Sequence, residues 1–136
     1  MSREYEQGWH RLRQSNSLGL GAAEMELSVV AEECGSPNWD GYGAAPVVNE
    51  AIVEAHRFLG ALPLGVPAPS AGAEPDGNVT FEWYRSARRT LSVSVTTEGD
   101  LHYAALIGPS RAYGTEPFFG EIPRVIMELI RRVTAV

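Results

Sequence analysis

Four side chains of this sequence could carry acid–base chemistry, namely three carboxylates and one histidine. Asp40 lies in an aromatic loop, Glu82 on a predicted strand, and Glu116 in a second loop. If the loops meet over the edge of a sheet, these carboxylates form an acidic concavity that can transfer protons or hold a divalent cation. With His102 they define one hypothesis, a small hydrolase or a metal-dependent enzyme, which requires the groups to lie within about 6–10 Å of one another.

The alternative gives each carboxylate a structural role. A residue such as Asp40 commonly accepts a hydrogen bond from the backbone of its own turn. Glu82 can pair across the strands with Arg89, and Glu116 can remain solvated. These roles need no convergence, and the sequence favours them over a catalytic set.

Other catalytic arrangements have weaker support. Ser92 and Ser94 share a predicted strand face with His102, but catalytic serines usually lie at strained turns. His10, His56 and His102 lie on different predicted elements, so their spacing predicts no metal site, and we predict no cofactor. All eleven basic residues are arginine. The absence of lysine excludes Schiff-base chemistry and the lysine of phosphate-binding loops.

Aromatic side chains in the same two loops indicate a different function, the binding of another protein. The first loop is Asn38-Trp39-Asp40-Gly41-Tyr42-Gly43, and the second covers residues 108–120. Rigid aromatic rings flanked by polar groups are typical of interface hot spots. The predicted partner-binding residues are Trp39, Asp40, Tyr42, Tyr113, Phe118 and Phe119. The competing interpretation is that Trp39 and Phe118 fill the ends of a small core, and both interpretations stay open at this point.

Length and composition favour one cytoplasmic domain. The chain has 136 residues, of which 44% are hydrophobic, and this is enough for one core without disulfides or metals. A single cysteine and a charged N-terminus predict a reducing compartment, and no apolar run approaches the length of a membrane span. The net charge of −6 disfavours a nucleic-acid partner and favours a basic protein surface.

Hydrophobic periodicity predicts an α+β fold with the element order α-α-β-β-β-α. Helical spacing of apolar residues predicts helices over 22–34, 49–62 and 123–133. Alternation of apolar and polar residues predicts strands over 79–84, 91–95 and 101–107. Because the connections between these strands have hairpin length, we expect a three-stranded antiparallel meander covered by the helices in two layers.

The remaining segments are predicted to be irregular. Residues 1–17 form an arm or short helix whose Trp9 docks on the body. Residues 63–77 form a connector rich in proline and glycine, which is too short to separate two domains. We therefore expect residues 1–136 to form a single domain.

Several short motifs occur together in the chain. They are Asn38-Trp39-Asp40-Gly41-Tyr42-Gly43-Ala44, Phe58-Leu59, Leu62-Pro63, Pro75-Asp76-Gly77, Phe81-Glu82-Trp83, Leu91-Ser92-Val93, Tyr103-Ala104 and Gly114-Thr115-Glu116-Pro117-Phe118. In this combination the chain resembles a family of small uncharacterised bacterial proteins that share the Asn-Trp-Asp-Gly-Tyr-Gly loop. The resemblance covers about residues 25–133. It implies a bacterial cytoplasmic protein and implies no reaction.

The sequence as a whole favours a non-enzymatic protein-interaction module. We expect an acidic neutralising or accessory partner of another bacterial protein, because aromatic loops and acidic charge occur without an assembled catalytic set. The enzyme hypothesis above is the first alternative. The second is a homodimer that uses an exposed strand edge or the last helix, with the aromatic loops purely structural.

Overall fold

The computed structural model describes residues 20–135, which contain three helices and five strands. The helices are α1 (Gly21–Glu33), α2 (Asn49–Ala61) and α3 (Arg124–Thr134). The strands are β1 (Ser70–Ala73), β2 (Val79–Ser86), β3 (Arg89–Val95), β4 (Asp100–Ile107) and β5 (Ser110–Pro117). The arm predicted for residues 1–17, including Trp9, lies outside the described residues.

The five strands form one antiparallel sheet in the order β1-β2-β3-β4-β5. The fold is α+β, with the element order α-α-β-β-β-β-β-α. The predicted three-stranded meander is therefore wrong. Both edge strands of the sheet were missed, each for a separate physical reason.

Strand β1 lies inside the segment 63–77 that was predicted to be a connector. Its sequence, Ser70-Ala71-Gly72-Ala73, contains none of the β-branched or aromatic residues that are enriched in strands. It is extended because β2 offers it a ladder, from the Ser70 and Glu82 pair to the Ala73 and Val79 pair. Helix α1 also packs against it. Contacts with β2 and α1 therefore make this segment a strand, although its own residues have low strand propensity.

Strand β5 occupies most of the predicted loop 108–120. It shows no apolar alternation because its helix-side positions hold Ala112, Gly114 and Glu116. No helix of the described chain packs against this strand, so nothing there requires large apolar residues. The two-residue turn Gly108-Pro109, with φ of 62° at the glycine, reverses the chain into it. Pairing with β4 alone defines the strand.

One face of the sheet packs against the helices and forms the core. The buried residues that point to it from the central strands are Val79, Phe81, Trp83, Leu91, Val93, Val95, Leu101 and Ala105. Helix α3 lies over β2, β3 and β4, and α2 contacts β2 and β3. The ring of Phe58 on α2 lies 5.3 Å from that of Phe81 and 6.0 Å from that of Phe118. Burial of a side chain of this size contributes roughly 2–3 kcal/mol.

The other face, which we call the open face, carries side chains that are exposed or half-buried. Cross-strand register assigns to it Thr80, Glu82, Tyr84, Thr90, Ser92, Ser94, His102, Ala104, Leu106, Arg111, Tyr113 and Thr115. An antiparallel sheet commonly has one solvated face of this kind. Among residues 20–135, no helix covers the open face.

The helices also bear on membrane insertion. The two longest helices of the described chain have 13 residues each, whereas a spanning helix needs roughly 20. Within residues 20–135, no helix is long and apolar enough to cross a bilayer.

Candidate functional site

The Asn-Trp-Asp-Gly-Tyr-Gly loop is closed by its own polar side chains. Asn38 lies in the left-handed region at φ 62°, and its Oδ1 accepts a hydrogen bond from the backbone N–H of Gly43 at 2.6 Å. Asp40 Oδ1 accepts hydrogen bonds from the backbone N–H groups of Tyr42, at 2.8 Å, and Ala44, at 3.1 Å. Short polar side chains commonly satisfy turn amides in this way. The carboxylate of Asp40 is thus engaged in holding the loop.

Trp39 also serves the fold, because it helps to dock this loop on the turn between β1 and β2. The indole N–H of Trp39 donates to the carbonyl oxygen of Ala45 at 2.7 Å. The N–H of Ala45 in turn donates to the carbonyl oxygen of Pro75 at 2.8 Å. Gly77 in this turn has φ 91°, and a Cβ atom there would lie 2.8 Å from the carbonyl oxygen of Pro46. The aromatic loop and the Pro-Asp-Gly motif therefore fit against each other.

The aromatic residues of the second predicted loop have contrasting environments. Phe118 is only 4% exposed, its N–H donates to the carbonyl oxygen of Gly99, and the guanidinium of Arg57 lies 5.6 Å from its ring centroid. Phe119 is 86% exposed and Tyr113 is 76% exposed. Phe118 therefore belongs to the core, whereas the other two rings face solvent.

Three of the six predicted partner-binding residues are thus exposed, namely Tyr42, Tyr113 and Phe119. The two loops do not form one surface around Tyr42 and Tyr113. The aromatic loop is held at the turn between β1 and β2, whereas Tyr113 lies on β5 at the other edge of the sheet. Three or four strand spacings separate them, which corresponds to roughly 14–19 Å.

The four side chains of the enzyme hypothesis lie in separate places. Glu82 and His102 both point to the open face, but β3 separates their strands and their register rows differ. Glu116 pairs with Leu101 and points to the helix side of the sheet. Asp40 lies in the docked loop. Within residues 20–135, no group of three or more His, Cys, Asp and Glu side chains could hold a metal ion. The structure does not bring this set together.

His102 instead belongs to a row of hydroxyl groups across the open face. Its Nδ1 lies 2.8 Å from Thr115 Oγ1 on β5, and its register partner on β3 is Ser94, which pairs in turn with Thr80. All of these side chains project from regular strands: Thr80, Ser94 and His102 lie on strands that are paired on both sides, and Thr115 lies on the edge strand β5. A nucleophile there lacks the converging backbone donors that stabilise an oxyanion. The row therefore offers hydrogen-bonding groups to a partner and no catalytic geometry.

Arg89, which was expected to pair with Glu82, has a different role. Its Nη2 donates to the carbonyl oxygens of Arg132 and Ala135 at the C-terminal end of α3. A cation at this position satisfies carbonyl groups that have no partner within the helix. Glu82 remains an exposed carboxylate on the open face, opposite Ser92.

The open face contains a shallow groove of about 380 Å³. It is lined by residues of three adjacent strands: Thr90, Ser92, Ala104, Ala105, Leu106, Arg111, Ala112 and Tyr113. In the cross-strand register Ala104 lies between Ser92 and Tyr113, so a methyl group separates a hydroxyl from a phenol ring. Leu106 adds apolar surface beside Arg111. The groove therefore combines an apolar floor with a tyrosine and an arginine at the β5 side.

The sequence-based prediction missed this groove because it assigned β5 to a loop. Without β5, Ala104 would lie at the sheet edge with nothing beside it. The signal in the sequence was the spacing of Arg111, Tyr113 and Thr115, which alternate with smaller residues in the period of a strand.

The open face thus has two exposed tyrosines, Tyr113 in the lining of the groove and Tyr84 on β2 outside that lining. No protein-family model, curated protein or solved structure matches the chain. The function of the open face is therefore inferred from the side chains that it carries. Tyrosine and arginine beside an apolar floor are the residue types that are enriched at protein interfaces.

Proposed function

We propose that the protein is a non-enzymatic protein-interaction module that binds another protein through the open face of its sheet. The observation that carries this proposal is the groove of about 380 Å³ between Ala104, Arg111 and Tyr113. A tyrosine ring presents a large surface at low entropic cost because it has two side-chain torsions, and a guanidinium group presents a planar set of hydrogen-bond donors. The hydroxyl row beside the groove supplies hydrogen bonds.

The net charge of the chain as a whole supports a basic partner, whereas the charged group in the groove itself is Arg111. The net charge is −6, and an acidic protein attracts basic partners and repels the phosphate backbone of nucleic acids. The role is that of an acidic neutralising or accessory subunit of another bacterial protein. The resemblance to the Asn-Trp-Asp-Gly-Tyr-Gly family is the support for a place in the bacterial cytoplasm.

The decisive variant fills the groove without disturbing the core. Ala104 is exposed and points to the open face, so Ala104→Arg is expected to keep the fold and abolish partner capture by the tagged full-length chain. Val53→Arg is the matched control, because it adds the same group at an exposed position of α2, a helix that packs on the side of the sheet opposite the groove. We expect the control to capture the partner as the unmodified chain does.

A second pair of variants tests the other exposed rings. Tyr42→Ala and Phe119→Ala remove large exposed side chains that do not line the groove, and both are expected to leave capture unchanged. Trp39→Ala is unsuitable for this purpose because it also removes the hydrogen bond to Ala45. Capture that survives Ala104→Arg and is lost in Tyr42→Ala would reject the open face and assign binding to the aromatic loop.

A further inference from the structure

We propose that the chain forms a two-fold symmetric dimer in which the β5 strands of two copies pair antiparallel, centred on Tyr113. The occupant of this edge is a second copy of the chain. The dimer is a separate proposal from the proposed function: its ladder uses the backbone of the sheet edge, although the Tyr113 ring also lines the groove.

The two edges of the sheet differ in how they are protected. Strand β1 has only four residues, helix α1 packs against it, and the N–H of Ala71 donates to Glu26 Oε1 of that helix at 2.7 Å. Strand β5 has eight residues, and no helix of the described chain packs against it. A long, uncovered edge strand is a template for pairing with another chain. Within residues 20–135, β5 is therefore the one edge strand that no other element covers.

Hairpin geometry shows which backbone groups of β5 point outward. Ile107 and Ser110 close the two-residue turn, and the closing pair of such a hairpin is hydrogen bonded. Alternation along the strand directs the N–H and C=O groups of Arg111, Tyr113 and Thr115 away from β4. The inward hydrogen bond from the Phe118 N–H to Gly99 agrees with this alternation. All three outward residues have an N–H to donate.

The prolines that flank the strand select one register. Pro109 and Pro117 lie at equal distances from Tyr113, and neither has an N–H to donate. When two β5 strands pair around Tyr113, each proline falls opposite the other copy's proline, outside the paired segment. Within it, Arg111 lies opposite Thr115 of the second copy. Every outward N–H between the prolines then finds a carbonyl group, which gives a complete antiparallel ladder.

Side chains are compatible with this register on both faces of the sheet. On the open face the two Tyr113 rings lie side by side, and cross-strand aromatic pairs stabilise antiparallel sheets. On the helix side Ala112 lies opposite Gly114 of the second copy, and each Gly114 is covered by the Tyr103 ring of its own copy. No two like charges lie directly opposite, because Arg111 faces a threonine and Glu116 faces Ser110.

The arrangement of the helices leaves room for the second copy and limits the assembly to two chains. Helix α3 covers β2, β3 and β4 and stops one strand short of β5, so helices of the two copies stand apart. The covered β1 edge cannot repeat the contact, and the symmetric contact at β5 closes on itself. The result is one ten-stranded sheet whose two grooves meet at the paired tyrosines.

The test is the mass of the full-length chain in solution, measured by light scattering or sedimentation over a range of concentrations. We expect twice the mass of one chain. Tyr113→Pro removes the central N–H at a position where an edge strand accommodates proline, and it is expected to give the mass of a single chain. Tyr84→Ala, which truncates an exposed tyrosine of the same face on β2, is the matched control and should stay dimeric.

Cysteine cross-linking tests the register without depending on a proline. In a Cys34→Ser background, Tyr113→Cys places two thiols opposite each other, and oxidation is expected to link the copies. Arg111→Cys is expected to remain unlinked, because the two copies of this position lie roughly 14 Å apart along the paired strands.

Three outcomes would overturn the dimer: a single-chain mass at every concentration, a dimer that survives Tyr113→Pro, or equal cross-linking at positions 111 and 113. A single-chain mass with slow hydrogen exchange at Tyr113 would show that another part of the same chain covers the edge. Ala104→Arg changes partner capture and leaves the mass of the dimer unchanged, so failure of either proposal is separately visible.

Discussion

The residue types in the aromatic loop are those that its backbone conformation requires. Asn38 and the two glycines of the loop have positive φ values of 62°, 81° and 84°, a region that favours asparagine and glycine over other residues. Asp40 and Asn38 then satisfy the amides that this path leaves free. The residues that look most functional in the sequence are therefore explained largely by the conformation of the chain.

A comparison of Gly77 with Gly41 distinguishes two reasons for glycine at a position, a positive φ and the close approach of another segment. Gly77→Ala is expected to lower the free energy of unfolding by about 3 kcal/mol, because a side chain at positive φ costs energy and its Cβ would lie 2.8 Å from the Pro46 oxygen. Gly41→Ala has the same conformational cost at φ 81° but nothing within 4 Å, so we expect about 1 kcal/mol. Urea unfolding of both variants measures the difference, and equal losses would contradict the close approach of the two loops.

Cys34 at the end of α1 is expected to react slowly with alkylating reagents. Burial, and secondarily the nearby carboxylate of Glu33, raise the pKa of its thiol. Because the thiolate is the nucleophile, a raised pKa leaves less of the reactive form at a given pH. Alkylation at pH 8 should be slower in the folded protein than after unfolding in urea, and the rate should rise with pH. Equal rates in the two states would contradict an environment that disfavours the thiolate.

At the scale of the elements, an aromatic cluster joins α2 to the sheet. The ring of Phe58 stacks on that of Phe81 and meets those of Trp83 and Phe118 edge-on. These contacts connect the second helix, the second strand and the segment after β5. The cluster therefore fixes how the helix layer lies over the central strands, which carry the groove on their opposite face.

Removal of the central ring should be costly. Phe58→Ala is expected to lower the free energy of unfolding by about 3–5 kcal/mol, since the ring is fully buried and its loss leaves a cavity. Val53→Ala on the same helix should cost less than about 1 kcal/mol, because Val53 is 49% exposed. Chemical denaturation of the two variants provides the comparison. A small effect at Phe58 would mean that the surrounding side chains collapse into the space.

At the scale of the whole molecule, the positions of the helices determine which face and which edge of the sheet can contact another protein. In the described part of the chain, the helices occupy one face, α1 and the Glu26 carboxylate cover the β1 edge, and the open face and the β5 edge are left uncovered. Binding through one face and pairing through one edge use different groups, so a single sheet can do both. This division follows from the placement of three helices over the first four of the five strands.

The role of Glu26 in closing the β1 edge can be measured directly. Glu26→Ala is expected to accelerate hydrogen exchange of the Ala71 amide about tenfold, because the amide loses a hydrogen bond to a charged group. Glu32→Ala, on the exposed surface of the same helix, should leave that exchange unchanged. Unaltered exchange in the first variant would show that packing of α1 alone protects the edge.

The sequence by itself determined the elements that bury apolar residues. Alternation in β2, β3 and β4 and the helical spacing of apolar residues in all three helices predicted six of the eight elements at nearly their observed positions. The structural role of Asp40 was also readable, because an aspartate before glycine commonly binds the amides of its own turn. In each case the information lies within a few neighbouring residues.

Tertiary structure alone decided the edge strands, the separation of the two predicted loops, and the groove. Strand β1 depends on pairing with β2 and on α1, and β5 depends on β4, so their own residues carry little signal. The groove needs Ser92, Ala104 and Tyr113 to stand in one row, although they are far apart in the chain. Such a row exists only after the strands are in register, because cross-strand neighbours are set by hydrogen-bonded pairing and not by local propensity.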